Sequence, residues 1–199
     1  MKQILNTLLK SPVIVLLVIL TNSVYLYMLI KTIPEVQAFA DQMPLLDMKP
    51  KGYDQAYVIE LFTKLGEEGR SQYRTKQIPV DMIYPGLFAI CYAALMAFLL
   101  QGLNLLKGAW RLLILFPIIA GICDYVENFG ILRLLDQFPD LSSDTVTWTQ
   151  YASIGKSAAS TVSFILLMIL VMINSIRWLR EKRSHTYEEP PRKSASDLG

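Results

Sequence analysis

Hydrophobic residues in this chain are gathered into four long runs that polar segments separate. The runs cover residues 12–30, 80–100, 109–135 and 151–176. A helix crosses the hydrocarbon core of a membrane with about 20 residues, so each run is long enough to span it. The pattern predicts an all-α membrane protein, a four-transmembrane-helix bundle of one domain (residues 1–178). We place its spans at about residues 12–31, 80–101, 109–135 and 149–177.

A long polar segment, residues 31–79, separates the first two runs. Prolines and a glycine break its first part, residues 34–52, into loop. Apolar side chains then recur at helical spacing over residues 54–65: Tyr57, Val58, Leu61, Phe62 and Leu65. This spacing predicts an extra amphipathic helix that lies against the membrane surface or over the mouth of the bundle.

Basic residues near the ends of the runs predict how the chain crosses the membrane. Lys and Arg accumulate on the cytoplasmic side of membrane proteins. Here they lie before the first run, between the second and third, and after the fourth: Lys2, Lys10, Lys107, Arg111, Arg177, Arg180, Lys182 and Arg183. The loop at residues 136–148 is acidic. We therefore expect a multi-pass protein of the cell membrane with both termini cytoplasmic and residues 31–79 outside.

Both ends of the chain allow further interpretations. A secretory signal peptide is the rival reading of the first run, but that run exceeds the usual apolar stretch of about 7–15 residues. Residues 179–199 are polar and contain Pro and Ser, so they are expected to form a disordered cytoplasmic tail.

Composition narrows the possible functions. Hydrophobic residues make up 53% of the chain, as in small helical membrane proteins, and no basic stripe with interleaved aromatics predicts a nucleic-acid partner. The two cysteines, Cys91 and Cys123, lie in predicted spans, and the single histidine, His185, lies in the tail. This argues against a metalloenzyme with histidine ligands. We expect no metal site and no cofactor.

The third run carries charged and polar residues where a membrane span should be apolar. Asp124, Glu127 and Asn128 stand at i, i+3 and i+4, and these positions share one face of a helix. Charged side chains at membrane depth are costly and usually face the bundle interior or a wet cavity, so they mark a functional-site hypothesis.

The candidate site also includes residues on the second and fourth predicted spans. Lys156 lies in a Ser/Thr stripe of the fourth span, about 12 Å from its outer end, and the carboxylates of the third span lie at about 12–17 Å. Lys156 is therefore predicted to pair with Glu127 or Asp124. Asp81 and Tyr84 share a face of the second span, where Pro85 cannot donate a hydrogen bond to the Asp81 carbonyl. The candidate ligand-binding cluster is Asp81, Tyr84, Asp124, Glu127, Asn128 and Lys156.

Several functions fit this cluster. It could bind a small amphipathic ligand or a cation from the outer side. It could serve a membrane enzyme, with the carboxylates as acid, base or Mg²⁺ or Ca²⁺ ligands, although no nucleophile motif identifies catalytic residues. It could also fix helix packing in a structural or accessory subunit, or relay protons. Expected partners are membrane lipid, a small amphipathic ligand, or another membrane protein. Binding requires a reachable cavity, whereas a structural role requires a filled site.

Overall fold

A computed structural model describes residues 11–188, and this range is helical with no β-strand. It contains four helices long and apolar enough to cross a membrane: Pro12–Ala40, Gln55–Gly102, Ala109–Gln137 and Ser143–Arg180. The all-helical class and the number of long apolar helices are confirmed.

The first of these helices is longer than predicted. Helix α1 (Ser11–Tyr27) leads through a π-helical turn (Met28–Thr32) into α2 (Ile33–Gln37), and a 3₁₀ turn then ends at Ala40. Pro34 was expected to lie in loop. It stands in the first turn of α2, where a missing N–H is tolerated, so the helix continues past residue 31.

The second long helix includes the segment predicted to form the outer helix. Helix α3 (Gln55–Gln72) begins where the Asp54 carboxylate accepts a hydrogen bond from the Tyr57 N–H at 2.8 Å. It continues beyond residue 65 through a kink at Gly66, whose φ is 63° and ψ −172°. A π-helical turn (Tyr73–Gln77), α4 (Ile78–Asp81) and α5 (Tyr84–Gly102) follow.

The last two long helices are joined by a short connection. A 3₁₀ turn (Ala109–Ile114) precedes α6 (Leu115–Gln137), and α7 (Ser143–Glu188) has 46 residues. The disordered tail was predicted from residue 179, whereas α7 continues to Glu188. The first part of this stretch, residues 179–183, consists of Leu, Arg, Glu and Lys, which have high helix propensity. The remainder of the predicted tail, residues 189–199, lies outside the described residues.

Glycines bring α6 against its neighbours. A Cβ on Gly121 would lie 2.7 Å from the carbonyl oxygen of Pro85 in α5, and one on Gly130 would overlap the Thr149 hydroxyl in α7. Small residues permit such close approach between helices. The stretch between these glycines, which contains Asp124, is therefore held between α5 and α7.

A loop covers the end of the bundle where α6 ends and α7 begins. It contains a 3₁₀ turn (Leu46–Met48), hereafter the loop turn, and we name this end of the bundle the loop end. Leu45 and Leu46 are fully buried there. The loop turn therefore packs into the bundle.

Candidate functional site

Lys156 of α7 lies at the centre of the polar cluster. Its ammonium contacts a Glu127 carboxylate oxygen, lies 3.4 Å from Asp124 Oδ1, and donates to the Asp47 carbonyl at 3.2 Å. The Lys156 side chain is 19% exposed, and that of Glu127 is 0% exposed. The predicted ion pair between Lys156 and Glu127 or Asp124 is therefore present, with both carboxylates as partners.

Glu127 and Asn128 lie behind this ion pair and are fully buried. The second carboxylate oxygen of Glu127 accepts a hydrogen bond from the Ser153 hydroxyl. Asn128 Nδ2 donates to the Asp81 carbonyl at 3.3 Å. Pro85, four residues after Asp81, has no N–H to donate to this carbonyl. These contacts tie α6 to α7 on one side and to α4 on the other.

Asp47, on the loop turn, belongs to the site although the sequence analysis did not include it. Its carboxylate accepts hydrogen bonds from the Tyr73 hydroxyl at 2.6 Å and from Gln77 Nε2 at 3.2 Å. Its carbonyl accepts from Lys156. Asp47 lies in a proline-interrupted loop without periodicity, so no sequence signal could have placed it beside Lys156.

A cavity of about 400 Å³ adjoins the polar cluster between α1, α5, α6, α7 and the loop turn. Four of the six predicted site residues line it: Asp81, Tyr84, Asp124 and Lys156. Glu127 and Asn128 do not. The structure thus divides the predicted cluster into a part that borders the cavity and a part that joins helices.

Asp81 differs from the other acidic residues of the site. It is 3% exposed and lines the cavity. Its carboxylate forms no ion pair and no hydrogen bond with any residue in the described range, since its one contact to Asn128 is through the backbone. The cavity therefore contains one buried carboxylate without a protein partner.

Aromatic rings form another part of the cavity lining, named here the aromatic wall: Tyr25, Tyr84, Phe88, Tyr92 and Phe164. Tyr25 stacks on Tyr84 with ring centroids 5.3 Å apart, and Phe88 contacts Tyr92 at 4.7 Å. Tyr84, Phe88 and Tyr92 recur on the Asp81 face, a spacing visible in the sequence. Nothing in the sequence placed Phe164 beside them.

The mouth of the cavity lies beside the first long helix. Tyr25, Leu29 and Met48 line the cavity and are 42%, 38% and 38% exposed. Neighbouring apolar side chains on the same helix, including Leu26 and Ile30, are also exposed. The cavity therefore opens at an apolar flank of the bundle.

Metal ligation has no matching arrangement within residues 11–188, where no three His, Cys, Asp or Glu side chains converge as ligands. Cys91 and Cys123 are both free thiols. Comparisons with known protein families, with curated proteins and with solved structures find no match for this chain. What the protein does is therefore inferred from the geometry of the site.

Proposed function

We propose that this protein is a multi-pass membrane protein that binds a small amphipathic ligand between its helices. The observation that carries the proposal is the cavity of about 400 Å³, which is lined both by charged groups and by the aromatic wall. Ligand pockets of about 300–1,000 Å³ are typically apolar with a few polar groups that fix orientation. A cavity lined in this way suits a molecule with one polar and one apolar part.

The proposed orientation places the loop end outside the cell and both termini in the cytoplasm. The distribution of Lys and Arg supports it, because basic residues favour the cytoplasmic side. The exposed apolar side chains of the four long helices suit contact with lipid. Helix α3 then lies across the loop end at the outer surface of the cell membrane.

The ligand is proposed to enter from the outer leaflet through the mouth at Tyr25 and Leu29. Its polar group would lie near Asp81, Asp124 and Lys156, and its apolar part along the aromatic wall. Entry from lipid keeps the apolar part out of water throughout. The exposed apolar flank beside the mouth supports this route.

A structural role is the second candidate, and the contacts of Glu127 favour it. Glu127 is fully buried and contacts Lys156 and Ser153 of α7, as a residue that fixes helix packing should. The two roles use different parts of the cluster and are compatible. Neither His nor Cys lines the cavity among the residues that the structure describes, so an enzyme would use Lys156 and its carboxylates as acid and base.

Filling the cavity tests the proposal. Ser160 lines the cavity, and its hydroxyl bonds only to carbonyls of its own helix. Ser160→Phe should therefore block the cavity without removing a contact between helices. Thr161→Phe is the matched control, because Thr161 is exposed and makes the same kind of hydrogen bond, to Ser157.

Native mass spectrometry after gentle detergent extraction provides the measurement. Wild type and Thr161→Phe should retain a bound amphiphile, and Ser160→Phe should lose it. Equal bound mass in all three proteins, or none in the wild type, would contradict ligand binding in this cavity.

A further inference from the structure

We infer that the ligand's polar group is an organic cation, an ammonium carried on an apolar chain. This inference rests on the proposed function and names the chemical class of the ligand. The balance of charge in the site, the unpaired Asp81 and the position of the aromatic wall lead to it.

The charges around the cavity do not balance. The site contains four carboxyl groups, those of Asp47, Asp81, Asp124 and Glu127, and they meet one ammonium, that of Lys156. Glu127 and Asp124 both contact that ammonium. The carboxylate of Asp47 is held by the neutral donors Tyr73 and Gln77. Asp81 has no partner of either kind within the described chain.

A buried carboxyl group that keeps its charge needs a partner that compensates the charge or donates hydrogen bonds. An ammonium in the cavity would supply that partner for Asp81. Lys156 cannot, because it lies beyond ion-pair distance of Asp81 and already has two carboxylate partners. Among the described residues, four carboxylates thus meet one ammonium, and Asp81, at the cavity lining, is the one without a partner.

The aromatic wall begins one helical turn after Asp81, at Tyr84, on which Tyr25 stacks. The faces of aromatic rings attract cations, and quaternary ammonium groups are typically recognised in this way. Carboxylate and rings together select an alkylated ammonium. They do not suit an inorganic cation, which requires several oxygen ligands.

Phosphate and sulfate head groups do not fit the charge of the cavity. Among the described residues, Lys156 is the only basic side chain that lines the cavity, and its charge is already shared by two carboxylates. An anion would therefore meet Asp81 without compensation. The volume of about 400 Å³ lies near the lower end of the range for ligand pockets, about 300–1,000 Å³, which suits a single-chain amphiphile.

Four probes with the same decyl chain test this inference on the full protein in dodecyl maltoside micelles, whose detergent carries no charge. They are decyltrimethylammonium, decanol, decyl sulfate and decyl phosphate, and apparent affinity comes from the rise in melting temperature during titration. The cation should bind the wild type about tenfold more tightly than the alcohol or more, equivalent to about 1.4 kcal/mol. Decyl sulfate and decyl phosphate should bind no better than decanol.

Substitutions connect this preference to the residues. Asp81→Asn should lower the affinity for the cation about tenfold relative to the affinity for decanol, which removes the preference. Asp140→Asn is the matched control, because Asp140 is exposed near the loop end, and its loss should leave the preference intact. Tyr84→Leu keeps every charge and should weaken binding of the cation more than binding of the alcohol. It therefore provides a second test if Asp81→Asn fails to fold.

The outcomes separate the inference from the proposed function. Decanol binding as tightly as the cation, or an unchanged preference in both Asp81→Asn and Tyr84→Leu, would overturn the cationic ligand and leave amphiphile binding in place. Tight binding of decyl phosphate or decyl sulfate would overturn the exclusion of anionic head groups. If no probe binds the wild type, the inference and the proposed function fail together.

Discussion

Replacing Lys156 with methionine removes the cation that Glu127 and Asp124 share. Methionine has nearly the shape of the lysine stem but no charge, so the substitution isolates the loss of the ammonium. Both carboxylates are then buried without compensation, with side-chain exposures of 0% for Glu127 and 7% for Asp124. We expect the variant to be strongly destabilised.

The loss of stability in Lys156→Met can be worked out from two free energies. Removing one partner of a buried ion pair typically costs about 3–5 kcal/mol. The protein can reduce the cost by protonating the stranded carboxylate, which for a carboxyl group of ordinary acidity at pH 7 requires about 3.7 kcal/mol. We therefore expect a loss of about 3–4 kcal/mol. The loss should shrink as the pH falls toward 5, because protonation then costs less.

Unfolding by SDS in mixed micelles measures this free energy. Combining Lys156→Met with Glu127→Gln should restore much of the stability, since fewer charges are then left unpaired. Glu127→Gln alone should also destabilise. Lys64→Met is the control, because Lys64 is 40% exposed and pairs with Glu60 at 3.3 Å on the surface, so its loss should cost less than about 1 kcal/mol. If Lys156→Met and Glu127→Gln each unfold like the wild type, the residues do not form a buried pair.

Three further predictions concern packing, topology and the outer segment. Gly121→Ala places a methyl group 2.7 Å from the Pro85 carbonyl oxygen, and SDS unfolding should show a loss of about 1–3 kcal/mol from overpacking. Cysteines introduced at Asp140 and Arg183, in a background without native cysteines, should be labelled from outside intact cells only at Asp140. Spin labels should be immobile at Leu61, which is fully buried, and mobile at Glu60, whose side chain is 57% exposed.

Each of these three predictions has a control or an outcome that would contradict it. Gly108→Ala is the control for packing, because its new methyl group would meet no atom closer than 3.8 Å. Labelling at Arg183 in intact cells would reverse the proposed orientation. Equal mobility of the two spin labels would mean that the Leu61 face is not packed in the membrane-embedded protein.

Helical periodicity predicts which residues of the polar cluster share one side of a helix, but not which neighbours they contact. Spacing placed Asp124, Glu127 and Asn128 on one side of a helix, and that is what the structure has. Yet at 3.6 residues per turn, positions i+3 and i+4 lie about 60° and 40° to opposite sides of position i. Glu127 consequently reaches Ser153 of α7, Asn128 reaches Asp81 of α4, and Asp124 between them borders the cavity. Only the neighbouring helices determine that division.

Other features depended on contacts that lie far apart in sequence. The number of long helices follows from apolar runs, which are local and long. The position of Asp47 depends on Tyr73, Gln77 and Lys156, up to 109 residues away, and no local pattern records those contacts. The end of the first long helix was missed because Pro34 stands in a helix's first turn, where proline is compatible with helix.

The kink at Gly66 and the close approach at Gly121 require glycine for different reasons. Gly66 has a backbone conformation that L-residues avoid, and Gly121 has no space for a Cβ. No atom would lie within 4 Å of a Cβ at Gly66, but its φ of 63° and ψ of −172° suit only glycine among the natural residues. The mirror image of that conformation is ordinary extended backbone for an L-residue. D-Alanine introduced at position 66 by semisynthesis should therefore hold the kink, and L-alanine should strain it. At position 121 the backbone is helical and suits L-alanine, and the limit is instead the space that the Pro85 carbonyl oxygen occupies.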